Sequence, residues 1–229
     1  LGEINVTLNF CLMITIFISN FFGSAGNKFL AEFRGRENLK NFIFTLKIIF
    51  FGSISTLIIT NIILLNWWEY FSQNFSMPKE SFAPVILYIF FRTMYILLRR
   101  TLYGMDLVKN YTFNEIVSAF FMLGATAYVC FYSKEDFLLK TYILSYLIFF
   151  LLCIYSILKN FKLFKTKLTA DIDISKKQVF INYSKYGILS MIGTVASTGT
   201  GYISVIITGL SLDHTEVGIY TAALSIVSI

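Results

Sequence analysis

Charge is scarce in this chain: Asp, Glu, Lys and Arg together make 14% of its 229 residues, where a soluble domain carries about 25%. That shortage excludes intrinsic disorder, which needs high charge and low hydrophobicity. Proline occurs only twice, beside 25 phenylalanines, so collagen-like and flexible-linker readings fail as well. His214 is the single histidine, and a histidine-based zinc site or catalytic triad cannot be assembled around it. The three cysteines, Cys11, Cys130 and Cys153, each sit in an apolar stretch without CxxC or Cys/His spacing. They read as small hydrophobes rather than as a disulfide framework or a metal site. We therefore expect no metal, no cofactor and no enzymatic nucleophile.

What is abundant is apolar surface: 56% of the residues are hydrophobic and 18% aromatic. The chain reads as an all-α, polytopic transmembrane helix bundle. Apolar runs fall at 4–23, 41–66, 82–98, 113–132, 140–158 and 184–210, with a partial one at 217–229. Each complete run is near the ~20 residues needed to cross a hydrocarbon core of about 30 Å. That makes about six full spans plus part of a seventh. The chain starts at Leu1 and stops at Ile229 inside an apolar run, and we expect it to continue at both ends.

The net charge of +6 would suggest nucleic acid in a soluble protein, but here it follows topology, and no nucleic-acid partner is expected. The segments 24–40, 99–112 and 159–185 hold fourteen Lys and Arg, against three (Lys79, Lys134 and Lys140) in the alternate loops. By the positive-inside rule the basic loops face the cytoplasm. Trp67, Trp68 and Tyr70 follow the second run, where amphipathic rings favour the outer interface. The longest connection, 159–183, is basic with apolar residues interleaved. It reads either as an amphipathic stretch on the inner membrane surface or as a solvated linker.

A few polar residues interrupt the spans. Arg92 is the sharpest, near the middle of the 82–98 run, where a charge costs about 2.5–3.5 kcal/mol on insertion scales. Tyr88, Arg92, Tyr95, Arg99 and Tyr103 recur at spacings of 3 and 4 and so share one helix face. Such a face suits an anionic, sugar-bearing ligand, and Arg92, Tyr88 and Tyr95 are its candidate contacts. Packing of Arg92 against neighbouring helices is the structural alternative. Lys47, six residues into its run, is a weaker candidate that can snorkel to the interface. The 184–210 run carries a small, weakly polar stripe of Ser190, Thr194, Ser197, Gly201, Ser204 and Thr208, with Gly187 at its start. Both helix packing and cavity lining are open to it. Glu115 lies near one end of its run and Glu69 near another, so no midplane carboxylate is expected.

Two stretches, with the architecture, carry a family likeness. Residues 21–42, FFGSAGNKFLAEFRGRENLKNF, are a span ending in glycines followed by a basic Gly-Arg-Glu-Asn turn. Residues 183–224 contain Gly209, a short loop, then Glu216, Val217, Gly218, Ile219, Tyr220 and Ala222. A long basic connection precedes that second stretch. The chain thus resembles the polysaccharide (O-antigen, lipid-linked oligosaccharide) flippases of the multidrug/oligosaccharidyl-lipid/polysaccharide exporter superfamily. It departs from them at Ser204 and Val205, where many members carry an Asp-Arg pair, and in lacking a proline shortly after Gly187.

The resemblance implies a fragment of a two-lobe transporter. Residues 1–158 would be spans two to six of the N-terminal lobe, 159–183 the inter-lobe linker, and 184–229 span seven with part of span eight. It implies flipping of polyprenyl-pyrophosphate-linked oligosaccharide by alternating access, in a bacterial cytoplasmic membrane, for surface polysaccharide such as lipopolysaccharide. Its partners would be the lipid-linked oligosaccharide, membrane lipids and other polysaccharide-assembly proteins. A multidrug or peptidoglycan-precursor exporter of the same superfamily is the alternative. A membrane-embedded glycan polymerase or glycosyltransferase ranks third, because the outer loops are too short for a catalytic domain.

Overall fold

The computed structural model describes residues 2–74, 82–132, 137–168, 174–211 and 214–227. Lys79 and Lys134, which belong to the charge-poor loops, lie outside the described residues, as do residues 169–173 of the long basic connection. Among the described residues the chain is helical almost throughout and has no strand. In order come α1 (Gly2–Gly35), α2 (Leu39–Lys47), a π-helical turn (Ile48–Gly52), α3 (Ser53–Asn74), α4 (Phe82–Gly104), α5 (Val108–Phe131), α6 (Leu138–Lys167) and α7 (Lys176–Thr194). A second π-helical turn (Val195–Gly199), α8 (Thr200–Ser211) and α9 (His214–Val227) complete it. Six continuous stretches, with each π turn lying inside one, are long and apolar enough to span a membrane. The chain is a multi-pass, all-α membrane protein. In hydrocarbon each backbone amide must bond within its own segment, and a helix is the way an isolated segment does so.

The helices overrun the apolar runs. The stretch 24–40 is mostly the last turns of α1, and Arg99 and Arg100 belong to α4. Lys and Arg are good helix formers, so the helix continues past the point where apolar composition ends. Likewise 159–183 is largely the end of α6 and the start of α7, with Phe164 stacked on Phe42 at 5.5 Å and Val179 buried.

Two three-residue turns, 36–38 and 105–107, close the hairpins α1–α2 and α4–α5 with the same hydrogen bonds. Asn38 N donates to Phe33 O (2.9 Å) and Glu37 N to Arg34 O (3.0 Å). Leu107 N donates to Leu102 O (2.9 Å) and Asp106 N to Tyr103 O (2.9 Å). These are Schellman motifs. The left-handed position is taken by Glu37 (φ 55°) and Asp106 (φ 62°), not by a glycine. Gly104 serves contact instead: a Cβ there would sit 2.9 Å from the Asn27 carbonyl oxygen of α1. The sequence repeats with the geometry. Gly35, Lys40 and Asn41 recur as Gly104, Lys109 and Asn110, and Glu37, Leu39 and Phe42 as Asp106, Val108 and Tyr111.

α1 is the central strut, packed on α4 along one side and on α7, α8 and α2 along others, while α6 bridges α4 and α5. Its Cys11, Ala25 and Leu30 are fully buried. Contacts gather the basic segments at one end of the bundle: Arg34 meets Asp106 at 3.5 Å, and Asn41 Nδ2 donates to Ile174 O at 3.3 Å. The outer faces of α3 and α5 expose Ile58, Ile62, Phe120 and Leu123, an apolar surface that belongs against lipid. Trp67 and Tyr70 are exposed near the end of α3, and Trp68 packs on Phe82 of α4 at 5.2 Å.

Candidate functional site

Arg92 lies ten residues into α4 and twelve from its end, about 15 and 18 Å from the two termini. Its Nη1 donates to Tyr146 Oη of α6 at 2.6 Å. The guanidinium also lies over the Tyr146 ring (5.0 Å) and the Tyr95 ring (5.2 Å), an arrangement that stabilises a desolvated cation. Tyr88, 3% exposed, packs edge-on to Tyr142 and Tyr146. It positions the Arg92 partner from within the core. Tyr95 donates from its hydroxyl to Glu115 Oε1 of α5. Two charged atoms in this cluster are buried without a hydrogen-bond partner: Arg92 Nε and Glu115 Oε2. No carboxylate forms an ion pair with Arg92 among the described residues.

A polar seam between α5 and α6 fixes Tyr146, the phenol that accepts from Arg92. Ser118 Oγ donates to Ser145 O and Ser145 Oγ to Ser118 O, each at 2.9 Å. Asn114 Nδ2 donates to Ser156 Oγ at 3.2 Å. Ser145 immediately precedes Tyr146, so the seam sets the height at which the Tyr146 hydroxyl meets Arg92. Further along α4 the cationic stripe continues, with Arg99 over the Tyr111 ring at 5.4 Å and Tyr103 against Tyr111 at 4.8 Å.

Arg100 behaves differently although it is also a half-buried arginine of α4. Its Nη1 donates to Ser24 Oγ (2.6 Å) and Ser19 O (3.2 Å), and its Nη2 to Asn20 Oδ1 (2.6 Å). All three acceptors lie on α1. Gly23 makes the room: a Cβ there would stand 2.8 Å from Arg100 Cδ. Arg100, read from sequence as a loop charge, is a clamp between α1 and α4.

The structure brings Tyr88, Arg92 and Tyr95 together and leaves Lys47 apart. Lys47 is exposed at the end of α2, where it lines a groove with residues of α1, α3 and α7. The small stripe is partly buried, with Ser190, Thr194, Gly201, Ser204 and Thr208 half-buried. Ser197 is exposed, and a Cβ on Gly201 would meet nothing within 4 Å. The hydroxyls of Thr194, Ser204 and Thr208 donate to the carbonyls of Ser190, Thr200 and Ser204 four residues earlier, at 2.8–2.9 Å, which satisfies them within their own helix. Close packing occurs beyond the stripe's two ends, where Gly187 faces the Phe21 carbonyl and Gly209 faces Val6.

Sequence reasoning missed Glu115, Tyr142 and Tyr146. Glu115 is seven residues into α5, about 10 Å from its end, but its carboxylate turns inward to Tyr95. Its signal was available: Tyr111, Asn114, Glu115 and Ser118 recur at helical spacing, marking a polar face in an apolar span. Comparison with protein-family models, curated proteins and solved structures finds no match to this chain.

Proposed function

We propose that this protein is a transporter that moves a lipid-linked oligosaccharide with an anionic pyrophosphate head across a bacterial cytoplasmic membrane, by alternating access, for surface polysaccharide assembly. The observation that carries this reading is Arg92: a mid-span guanidinium held by phenols, with a buried unpartnered Nε and no carboxylate counter-ion among the described residues. A phosphate oxygen supplies what that fork lacks, in the planar geometry that guanidinium groups match. Tyr95 and Tyr146 would hold the guanidinium in place and present rings to sugar. Release of the head would leave Arg92 on its phenol partners rather than bare in hydrocarbon.

The test is translocation of a polyprenyl-pyrophosphate oligosaccharide in proteoliposomes. Arg92→Ala removes a charge-assisted contact worth about 1.5–3 kcal/mol. Translocation should fall by at least about tenfold, with membrane insertion unchanged. Unchanged translocation would sink the assignment. A second reading, export of a cationic substrate by the same superfamily, is favoured by Glu115, whose Oε2 is buried and unpartnered. Glu115→Gln separates the two: it should abolish export of a cation and leave glycan-lipid translocation within about twofold, because the amide still accepts from Tyr95.

A further inference from the structure

On the far side of α1 from Arg92 lies a groove of about 530 Å³. Phe22 of α1, Phe44 of α2, Phe51 of the first π turn and Phe180 of α7 form its walls. The π turn shapes it. Ile48, Phe51 and Gly52 of that turn line it, and Gly52, having no side chain, admits the Phe22 ring. Phe51 and Phe180 are 70% and 53% exposed, so the walls are apolar while the groove stays open. Lys47 is the one charged residue lining it, and no ion pair of Lys47 is present among the described residues.

We infer that this groove binds the acyl chain of an anionic membrane lipid, with Lys47 on its phosphate, in the leaflet at the basic end of the bundle. Three facts select this occupant. The groove lies within a span, where the surrounding solvent is lipid. Its charge is a single cation placed toward one end: Lys47 is nine residues from Thr56, the lining residue farthest along the helix, a rise of about 14 Å and close to one leaflet's share of a ~30 Å core. Lys47 stands eight residues past the start of α2, near enough for its four-carbon stem to carry the ammonium toward headgroup depth. Lys176, Lys177 and Lys185 of α7 are exposed nearby in sequence to Phe180, which adds to the attraction for an anionic surface. The inference is independent of the transport reading, since it concerns a bilayer lipid and a residue away from Arg92.

Native mass spectrometry of the full chain, released from nanodiscs of equal phosphatidylglycerol and phosphatidylcholine, tests it. The wild type should retain one lipid, enriched for phosphatidylglycerol. Lys47→Gln should lower that enrichment about fivefold, the value of one cation near an anionic headgroup, and Lys47→Arg should keep it. Ser55→Trp, which places a ring in the groove, should abolish retention of either lipid. Three results would each overturn the inference: no retained lipid in the wild type, as when another helix or a second copy covers the groove; enrichment that survives Lys47→Gln; or retention that survives Ser55→Trp.

Discussion

Set Gly35 against Gly104 and the hairpins α1–α2 and α4–α5 run in register, through the same Schellman turn into the same Lys-Asn-aromatic sequence. In that register Gly23 stands where the second hairpin has Arg92, and Gly26 stands where it has Tyr95. The first hairpin gives its interior to close approach. Gly23 receives Arg100, and Gly26 receives Ile49, whose Cδ1 would be 2.6 Å from an added Cβ. The second hairpin gives the equivalent positions to a cation and a phenol, which reach outward to α6 and α5. One turn design thus supports a packing strut and a polar site. What separates them is two side chains on the buried face, together with the π turn (Ile48–Gly52) that brings Ile49 to Gly26 and has no counterpart in α5.

Making the hairpins alike should be the most damaging change. Gly26→Tyr copies Tyr95 into α1, but Ile49 and Tyr183 already occupy that space. Overpacking of this kind costs about 3 kcal/mol or more, and gel filtration in detergent should show aggregate in place of a monodisperse peak. Arg100→Ala comes next. It removes three hydrogen bonds from a charged group to α1 and should cost about 3 kcal/mol, read as a lowered thermal midpoint. Arg92→Ala should lower that midpoint less, by about 1–2 kcal/mol, since it forfeits one hydrogen bond to Tyr146 and relieves an orphaned Nε. If Arg92→Ala proves the more destabilising, the division between clamp and site fails. The smallest effect belongs to the turns. Asn38, 1% exposed, accepts from Asn41 N at 3.0 Å, while Leu107 in the equivalent position makes no side-chain cap. Asn38→Ala should cost about 1 kcal/mol.

Much of this was legible in the order of residues. Composition and run length determined an all-α membrane bundle, because hydrocarbon leaves a lone segment few ways to satisfy its backbone. Periodicity placed Tyr88, Arg92, Tyr95 and Arg99 on one face, since 3.6 residues per turn is a local property. The register of the two hairpins is also written there, in the repeated Gly, Lys and Asn. The ends of the helices were less legible, since apolar composition stops before helical hydrogen bonding does.

Only the tertiary structure decided what each polar residue meets. Arg92 and Arg100 are both arginines of α4, eight residues apart, yet one has a buried Nε without a partner and the other makes three hydrogen bonds to α1. Lys47 and Arg92 read alike as charges within spans, and α1 stands between them. The hydroxyls of Thr194, Ser204 and Thr208 on the small stripe of α7 and α8 bond to carbonyls of their own helix. Each outcome depends on how far one helix is rotated and shifted against the next. A change of one residue in that rotation turns a side chain by about 100°, from a neighbour to lipid. That angle is set by the fit of all the helices around α1, and no single segment encodes it.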